Sequence, residues 1–285
     1  MKNPKKDVFS GRKIIIATKH HKEKVIAPLL EKELGLHCII PENFDSDRLG
    51  TFTGEVERSL DPISTVRAKC TMAMEEYNAD LAIANEGSFG PDPLLFFVPS
   101  DEEIIMLCDA RNNLEIMERE LSNETNFQGT EIHSQKELIA FASSVQFPAH
   151  GIIMRKNKDD PSKIVKGITD WEHLILTFNS FIKDFGSVYL ETDMRAMYNP
   201  TRMKIIGKAA ETLIKKIKSL CPNCQTPGFG VTSIRQGLPC QLCEYPTRSV
   251  LSHIYTCSKC AFSKEIKYPH NKMTEDPMYC DRCNP

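Results

Sequence analysis

No apolar run in this 285-residue chain is long enough to cross a bilayer. The densest, Leu94–Val98, falls far short of the roughly 20 residues that a spanning helix needs. The basic start MKNPKKDVFSGRK leads only into Ile14-Ile15-Ile16-Ala17, without the roughly 7–15-residue apolar stretch of a signal peptide. Neither membrane insertion nor export is therefore expected. Net charge is nearly absent too: 36 Lys+Arg against 38 Asp+Glu leave −2, so no whole-chain field favours nucleic acid or anionic lipid. Internal repeats, heptads and low-complexity tracts are missing. An apolar content of 41% and a charged content of 26% are those of an ordinary globular protein.

What stands out instead is cysteine. Eight of the eleven form four Cys-x-x-Cys pairs: Cys221/Cys224, Cys240/Cys243, Cys257/Cys260 and Cys280/Cys283. A two-residue gap lets both thiolates of a turn face one ion, and two such turns complete a tetrahedral site. The pairs read as two structural zinc sites, closed by eight ligands and so without an open catalytic position. Sequential pairing would span 15 residues between Cys224 and Cys240 and 19 between Cys260 and Cys280, both within the usual ribbon range. Nested and interleaved pairings remain open. Thiols spaced for metal, with no export signal, point to the cytoplasm. Residues 221–285 carry seven Lys/Arg against five Asp/Glu, a balance of +2, too weak to define a phosphate-binding surface. Cys38, Cys70 and Cys108 sit in apolar or helical surroundings and read as buried small hydrophobes.

Residues 12–220 alternate β-branched runs with helical periodicity. Strands are expected at 13–18, 37–41, 81–84, 104–109, 114–120, 151–155, 164–168 and 188–190. Helices are expected at 22–34, from Asp61-Pro62 to about 77, at 136–145 behind Ser134, at 170–185 and at 201–220. The fold class is α/β: a three-layer mixed-sheet domain over 12–220, followed by a small zinc-ribbon region over 221–285.

Sites in open α/β sheets form where strand ends meet helix starts. Four polar clusters fall at such points. Thr18, His20, Lys22 and Lys24 follow the first strand; a hydroxyl and lysines at a helix start suit phosphate, although the glycines of a P-loop or dinucleotide fingerprint are missing. A hydrophilic loop, Asp45-Ser46-Asp47-Arg48 and then Gly50 to Glu55, mixes donors and acceptors. Glu86 lies at the expected end of an apolar strand, between Asn85 and Gly87-Ser88, with Asp92 just beyond, placed to hold a divalent cation or a water. Asp193 and Arg195 lead into Asn199-Pro200-Thr201-Arg202, where Asn199 reads as an N-cap and the guanidinium forks match phosphate or carboxylate. Ser122–Asn126 forms a weaker fifth cluster.

Taken together, ATKHHKE, DSDRLGTFTGE, NEGSFGPDP, NETNF, ETDMRAMYNPTRM and DPMYCDRCNP resemble a bacterial family built on a domain of unknown function with a cysteine-rich C-terminal end. That resemblance covers nearly the whole chain and implies no established activity. A fainter one is to the inosine-triphosphatase and Maf-like nucleotide pyrophosphatases. Ala17-Thr18 with Lys22 or Lys24 is similar to their triphosphate loop, with His20 where that loop has asparagine. Val66-Arg67-Ala68-Lys69 ahead of Glu86 is similar to their lysine helix and acidic strand end, and Asn199-Pro200-Thr201-Arg202 to their base-contacting helix start.

The expected function is a divalent-metal-dependent hydrolase acting on a nucleotide or another phosphorylated small molecule. Glu86, with Glu55 or Asp193, would hold Mg²⁺ or Mn²⁺; Thr18, His20, Lys22, Lys24, Ser88, Arg195, Asn199 and Arg202 would bind the ligand. The alternative is a zinc ribbon that binds nucleic acid or protein without catalysis, using Arg235, Arg248, Lys264 and Lys267.

Overall fold

The β-branched run Lys13–Ala17 forms β1, buried at every position after its first. Helix α1 (Glu23–Leu34) follows, buries Ile26, Leu30 and Leu34 on one stripe, and stops at Gly35 in the left-handed region. It returns the chain to β2 (His37–Ile39), parallel to β1. Asp61 accepts from the backbone N–H groups of Ile63 and Ser64 and so caps α2 (Pro62–Glu76), with Pro62 at the first position. The chain then crosses to β3 (Leu81–Pro91), parallel to β1 on its other side. Right-handed crossovers in opposite directions from β1 put α1 and α2 on opposite faces of the sheet. β4 (Pro99–Asp109) and β5 (Leu114–Ser122) complete it antiparallel, in the order β2-β1-β3-β4-β5.

This computed structural model describes residues 8–49 and 60–285, which fall into two compact units, Met1–Ile214 and Lys215–Pro285. The division lies inside the last long helix, a little before the expected boundary at 220. The first unit is mixed α/β, as the residue pattern indicated, but its three-layer sheet domain is built on two sheets. The second sheet, in the order β6-β9-β7-β8, is antiparallel and consists of β6 (Gly129–Ile132), β7 (Ile152–Asn157), β8 (Asp160–Ile168) and β9 (Val188–Thr192). α3 (Gln135–Ser144), closed by a Ser134/Glu137 capping box, and α4 (Trp171–Phe185), capped by Asp170, cover it through Leu138, Phe141, Leu174, Phe178 and Phe181. α5 (Pro200–Lys218) ends the unit.

One expectation is corrected in a way that matters for the site. The apolar strand 81–84 does not end at Asn85. β3 continues through Asn85-Glu86-Gly87-Ser88-Phe89-Gly90 to Pro91, paired with β4 over its whole length. Local composition reads as a turn there, and cross-strand hydrogen bonding outweighs it. β1 does stop, at Ala17 opposite Ala84. Beyond that point β3 pairs only with β4 among the described residues. No helix of the described residues is long and apolar enough to cross a membrane.

The second unit is a three-stranded antiparallel meander of β10 (Val231–Gln236), β11 (Val250–Thr256) and β12 (Ser263–Lys267), with the four cysteine turns at its ends.

Candidate functional site

Alternation along β3 and β4 sorts their polar residues onto two faces. Asn85 and Gly87 share one face with Asp101 and Glu103, since Gly87 pairs with Glu103 and Phe89 with Asp101. Glu86 points to the other face, where α2 packs Val66, Cys70 and Ala73 against Ala84, Ile104 and Met106. Lys69 lies on that same stripe of α2, and its ammonium meets the Glu86 carboxylate at 2.5 Å, both side chains buried.

On the first face a buried chain of hydrogen bonds joins three elements. Lys22 Nζ, at the start of α1, donates to Asn85 Oδ1 at 2.8 Å, and Asn85 Nδ2 donates to Glu103 Oε2 at 2.9 Å. Arg202 Nε, from the first turn of α5, donates to Glu103 Oε1 at 2.6 Å, and its Nη1 to the Met194 carbonyl at 2.5 Å. The guanidinium also lies 4.9 Å from the Phe89 ring centroid. Gly87 is required for this packing: a Cβ there would stand 2.2 Å from Arg202 Nη2. Asn199 caps α5 as expected, accepting from the Arg202 backbone N–H at 3.0 Å.

Burial shapes the charges. Desolvation, then Arg202, pulls Lys22 down to about 7. Glu103 is buried as well, but the charges of Arg202 and Lys22 and the hydrogen bonds from Arg202 and Asn85 outweigh desolvation and hold it below the usual carboxylate range. Asp101 behaves in the opposite way: burial, then the neighbouring Glu103 charge, pushes it up to about 8. Asp101 is fully buried, and neither of its oxygens accepts from an N–H or hydroxyl donor among the described residues; it meets the Glu103 carboxyl instead, to which the neutral acid donates. The Thr18 hydroxyl, buried at the end of β1, is unsatisfied. Buried polar atoms are rarely left this way, and the ones that are call for an explanation.

The loop between Thr18 and Lys22 is itself strained. His20 and His21 adopt consecutive left-handed conformations, with φ of 64° and 63°. Each costs roughly 1–2 kcal/mol for a residue with a Cβ, and such strain gathers at ligand-binding loops. Lys19 pairs with Asp45 at 2.5 Å, which brings Asp45 against this turn.

The sequence-derived candidates thus separate. Thr18, Lys22, Glu86 and Arg202 gather around β3 beyond the end of β1, with half-buried His20 and Ser88 beside them in the chain; Lys24 is exposed on α1. Glu55 lies outside the described residues, as does the Gly50–Glu55 stretch. Asp193 has ample partners of its own. It accepts from the Gly167 N–H at 3.0 Å, from the Arg195 N–H at 3.1 Å, and from Arg195 Nε and Nη2 at 3.0 and 2.6 Å. Arg195 also stacks on Tyr198 at 4.6 Å. That loop touches the cluster through the Met194 carbonyl and Asn199. Asp92 caps the 94–95 turn and binds Asn123, and Asn126 accepts from Asn199 at 2.8 Å, so these polar groups are absorbed in loop construction. Asp101 and Glu103 had not been singled out, and Lys69 only through the fainter resemblance. The signal was present in SDEEIIMLCD, where acids at alternate positions continue the buried face of Ile105 and Leu107.

In the second unit the cysteines form two groups, each with its four sulfurs within 4.8 Å of one another: Cys221, Cys224, Cys257, Cys260 and Cys240, Cys243, Cys280, Cys283. The pairing is interleaved, which corrects the sequential expectation. The meander is the cause. β10 and β11 are antiparallel, with Val231 opposite Tyr255, so the turn before β10 meets the turn after β11; the turn after β10 meets the segment after β12. Sequential pairing would require opposite ends of one sheet to touch.

A tetrahedron with metal–sulfur bonds of about 2.3 Å has edges of about 3.8 Å. The observed Sγ···Sγ separations of 3.7, 3.6, 3.9 and 3.6 Å match it and are far from a bond of about 2.05 Å between sulfurs. Three of the turns repeat one geometry. The first cysteine N–H donates to the carbonyl five residues on, and the residue after the second cysteine (Gln225, Glu244, Ala261) is left-handed. Thr226 lies 3.1 Å from Cys224 Sγ and helps bring that thiol down to about 6. Both groups could therefore hold a metal ion.

Fold and site define a mixed α/β unit with a buried charge cluster, joined to a unit with two tetrathiolate clusters. The model of the family described as Domain of unknown function (DUF6671) matches residues 69–285, and the chain belongs to that family. No curated protein matches the chain, so the resemblance to nucleotide pyrophosphatases gains no support from such a match.

Proposed function

We propose that the first unit is a hydrolase of a nucleotide or another phosphorylated small molecule, working with Mg²⁺ or Mn²⁺, and that two zinc ions hold the second unit together. The observation that carries this reading is the buried charge cluster around β3 beyond the end of β1. Three basic side chains, Lys22, Lys69 and Arg202, are buried there, close to a strained helix-start loop, with an unsatisfied hydroxyl on Thr18 and a carboxyl on Asp101 that meets only the Glu103 carboxyl and no N–H or hydroxyl donor among the described residues. It lies above the carboxyl end of β1, where the chain leaves the sheet in opposite directions, the place where such sheets bind ligands.

The protein's own groups supply positioning and charge. Lys22 and Arg202 are held by Asn85 and Glu103 and present cations to phosphate oxygens. Lys22 is poised to take up a proton as an anion arrives. Lys69 and Glu86 form a second charge pair on the other face of the sheet. The acids able to hold a hard divalent ion on the Lys22 and Arg202 face are Asp101 and Glu103, not the sequence candidate Glu86, which faces the other side; such an ion would neutralise phosphate charge and activate water. Zinc suits the cysteine groups, because eight thiolates close two tetrahedra.

The zinc-ribbon alternative draws on β10, whose residues are all exposed. Two of the basic residues named for it are partly neutralised, Arg235 on β10 by Glu265 at 3.2 Å and Arg248, ahead of β11, by Asp281 at 3.1 Å.

The test is a nucleotide panel with the zinc-loaded full chain, with and without Mg²⁺ or Mn²⁺, read as phosphate or pyrophosphate release. Metal-dependent turnover that Lys22→Met reduces is expected. Neither turnover nor binding with any nucleotide would end the hydrolase reading.

A further inference from the structure

We infer that Asp101, with Glu103 beside it, is the ligand pair for a divalent cation of the Mg²⁺ or Mn²⁺ class in the first unit. The inference rests on reading the cluster as a phosphorylated-ligand site, and the assay below separates the two.

Asp101 is the one acid of the cluster that the described residues leave without an N–H or hydroxyl donor, on both oxygens and at zero exposure. The neighbouring cations are directed elsewhere: Lys22 to Asn85, Arg202 through Nε to Glu103 and through Nη1 to Met194. Glu103 takes one N–H donor on each oxygen, which leaves each a further lone pair, and Asp101 meets it carboxyl to carboxyl, so that a divalent cation would take the place of the proton the two acids share. The two acids stand two residues apart on one strand, so their carboxyls leave the same face side by side.

Hard carboxylate oxygens suit Mg²⁺ or Mn²⁺, and a site of one or two carboxylates completed by water and phosphate is the usual Mg²⁺ arrangement. Among the described residues only the cysteine quartets bring three or more ligand atoms together, so this is an open pair and not a closed cage. Glu86 was the sequence candidate for the cation. It points to the opposite face, and Lys69 holds it at 2.5 Å.

The experiment titrates Mn²⁺ into the zinc-loaded full chain and follows the loss of the free-ion electron paramagnetic resonance signal. Thiolate sites retain zinc against manganese. Wild type is expected to bind one Mn²⁺ per chain. Asp101→Asn should weaken that binding at least tenfold, and Glu86→Gln by less than about threefold. Zinc content and Trp171 fluorescence check folding, and Asp101→Ser serves as a second variant should the amide disturb the cluster. Wild type without a bound Mn²⁺, or both Asp101 variants binding like wild type, overturns the inference. Nucleotide turnover is recorded on the same samples. Its absence, with Mn²⁺ binding still lost in the Asp101 variants, removes the hydrolase reading and leaves the cation site standing.

Discussion

Glu103 and Arg202 are the pair on which the first unit should depend most. Both are buried, the contact is 2.6 Å, and each partner also satisfies a third group, Asn85 on one side and the Met194 carbonyl on the other. Glu103→Gln keeps the shape and removes the counter-charge, which strands a buried guanidinium. Breaking such a pair costs roughly 3–5 kcal/mol. Asp101 offsets part of this by ionising once Glu103 no longer repels it, so the lower end, about 3 kcal/mol, is expected. Arg202→Met strands the carboxylate, empties the Met194 carbonyl and removes the Phe89 contact; about 4 kcal/mol is expected. With both changes no buried charge is left alone, and the double variant should lose only about 2–3 kcal/mol, because apolar replacement of a whole buried pair is often near neutral. The coupling is then about 4–5 kcal/mol. The assay is urea unfolding followed by the single tryptophan, Trp171, which packs edge-on against Phe147 at 4.9 Å and reports on the first unit. Single variants within 1 kcal/mol of wild type, or additive effects, would refute the argument that this pair is one desolvated unit.

Lys22 gives a prediction in pH. Its folded-state value lies well below the ordinary one, so its contribution is present above about 10.5 and lost as pH falls to about 7. Lys22→Met escapes that loss, and its stability relative to wild type should grow by about 2 kcal/mol between pH 9 and pH 7 and then level off; a flat difference in urea midpoints would contradict it. The interleaved cysteine pairing predicts zinc counts. Cys221→Ser with Cys257→Ser should lose one ion in total, Cys221→Ser with Cys280→Ser two, measured by chromophoric chelation; two ions lost from both double variants would restore sequential pairing, and two from the first with one from the second would restore nesting. His21→Gly should relieve left-handed strain and move the thermal midpoint by no more than a few degrees upward, while loosening ligand binding through the more flexible loop; a large loss of stability would show that the imidazole is needed for the fold.

Short-range rules were enough for much of this protein. Asp61 with Pro62, Ser134 with Glu137, and Asp170 start helices where the residues alone say they should, because an N-cap is a contact between groups three positions apart. Each Cys-x-x-Cys turn is equally local, so the number of thiol ligands could be read directly. Partnership across the chain could not. Asn85–Gly90 has the composition of a turn and is a strand because β4 supplies its hydrogen bonds. Glu86 and Glu103 stand opposite neighbouring residues yet face opposite sides of the sheet, a matter of register that no short window contains. Asp101 looked like one acid in a polar stretch until the tertiary structure buried it against Glu103. Which cysteine turns share an ion was decided by the antiparallel order of β10, β11 and β12, since strand direction alone determines which ends of a meander coincide.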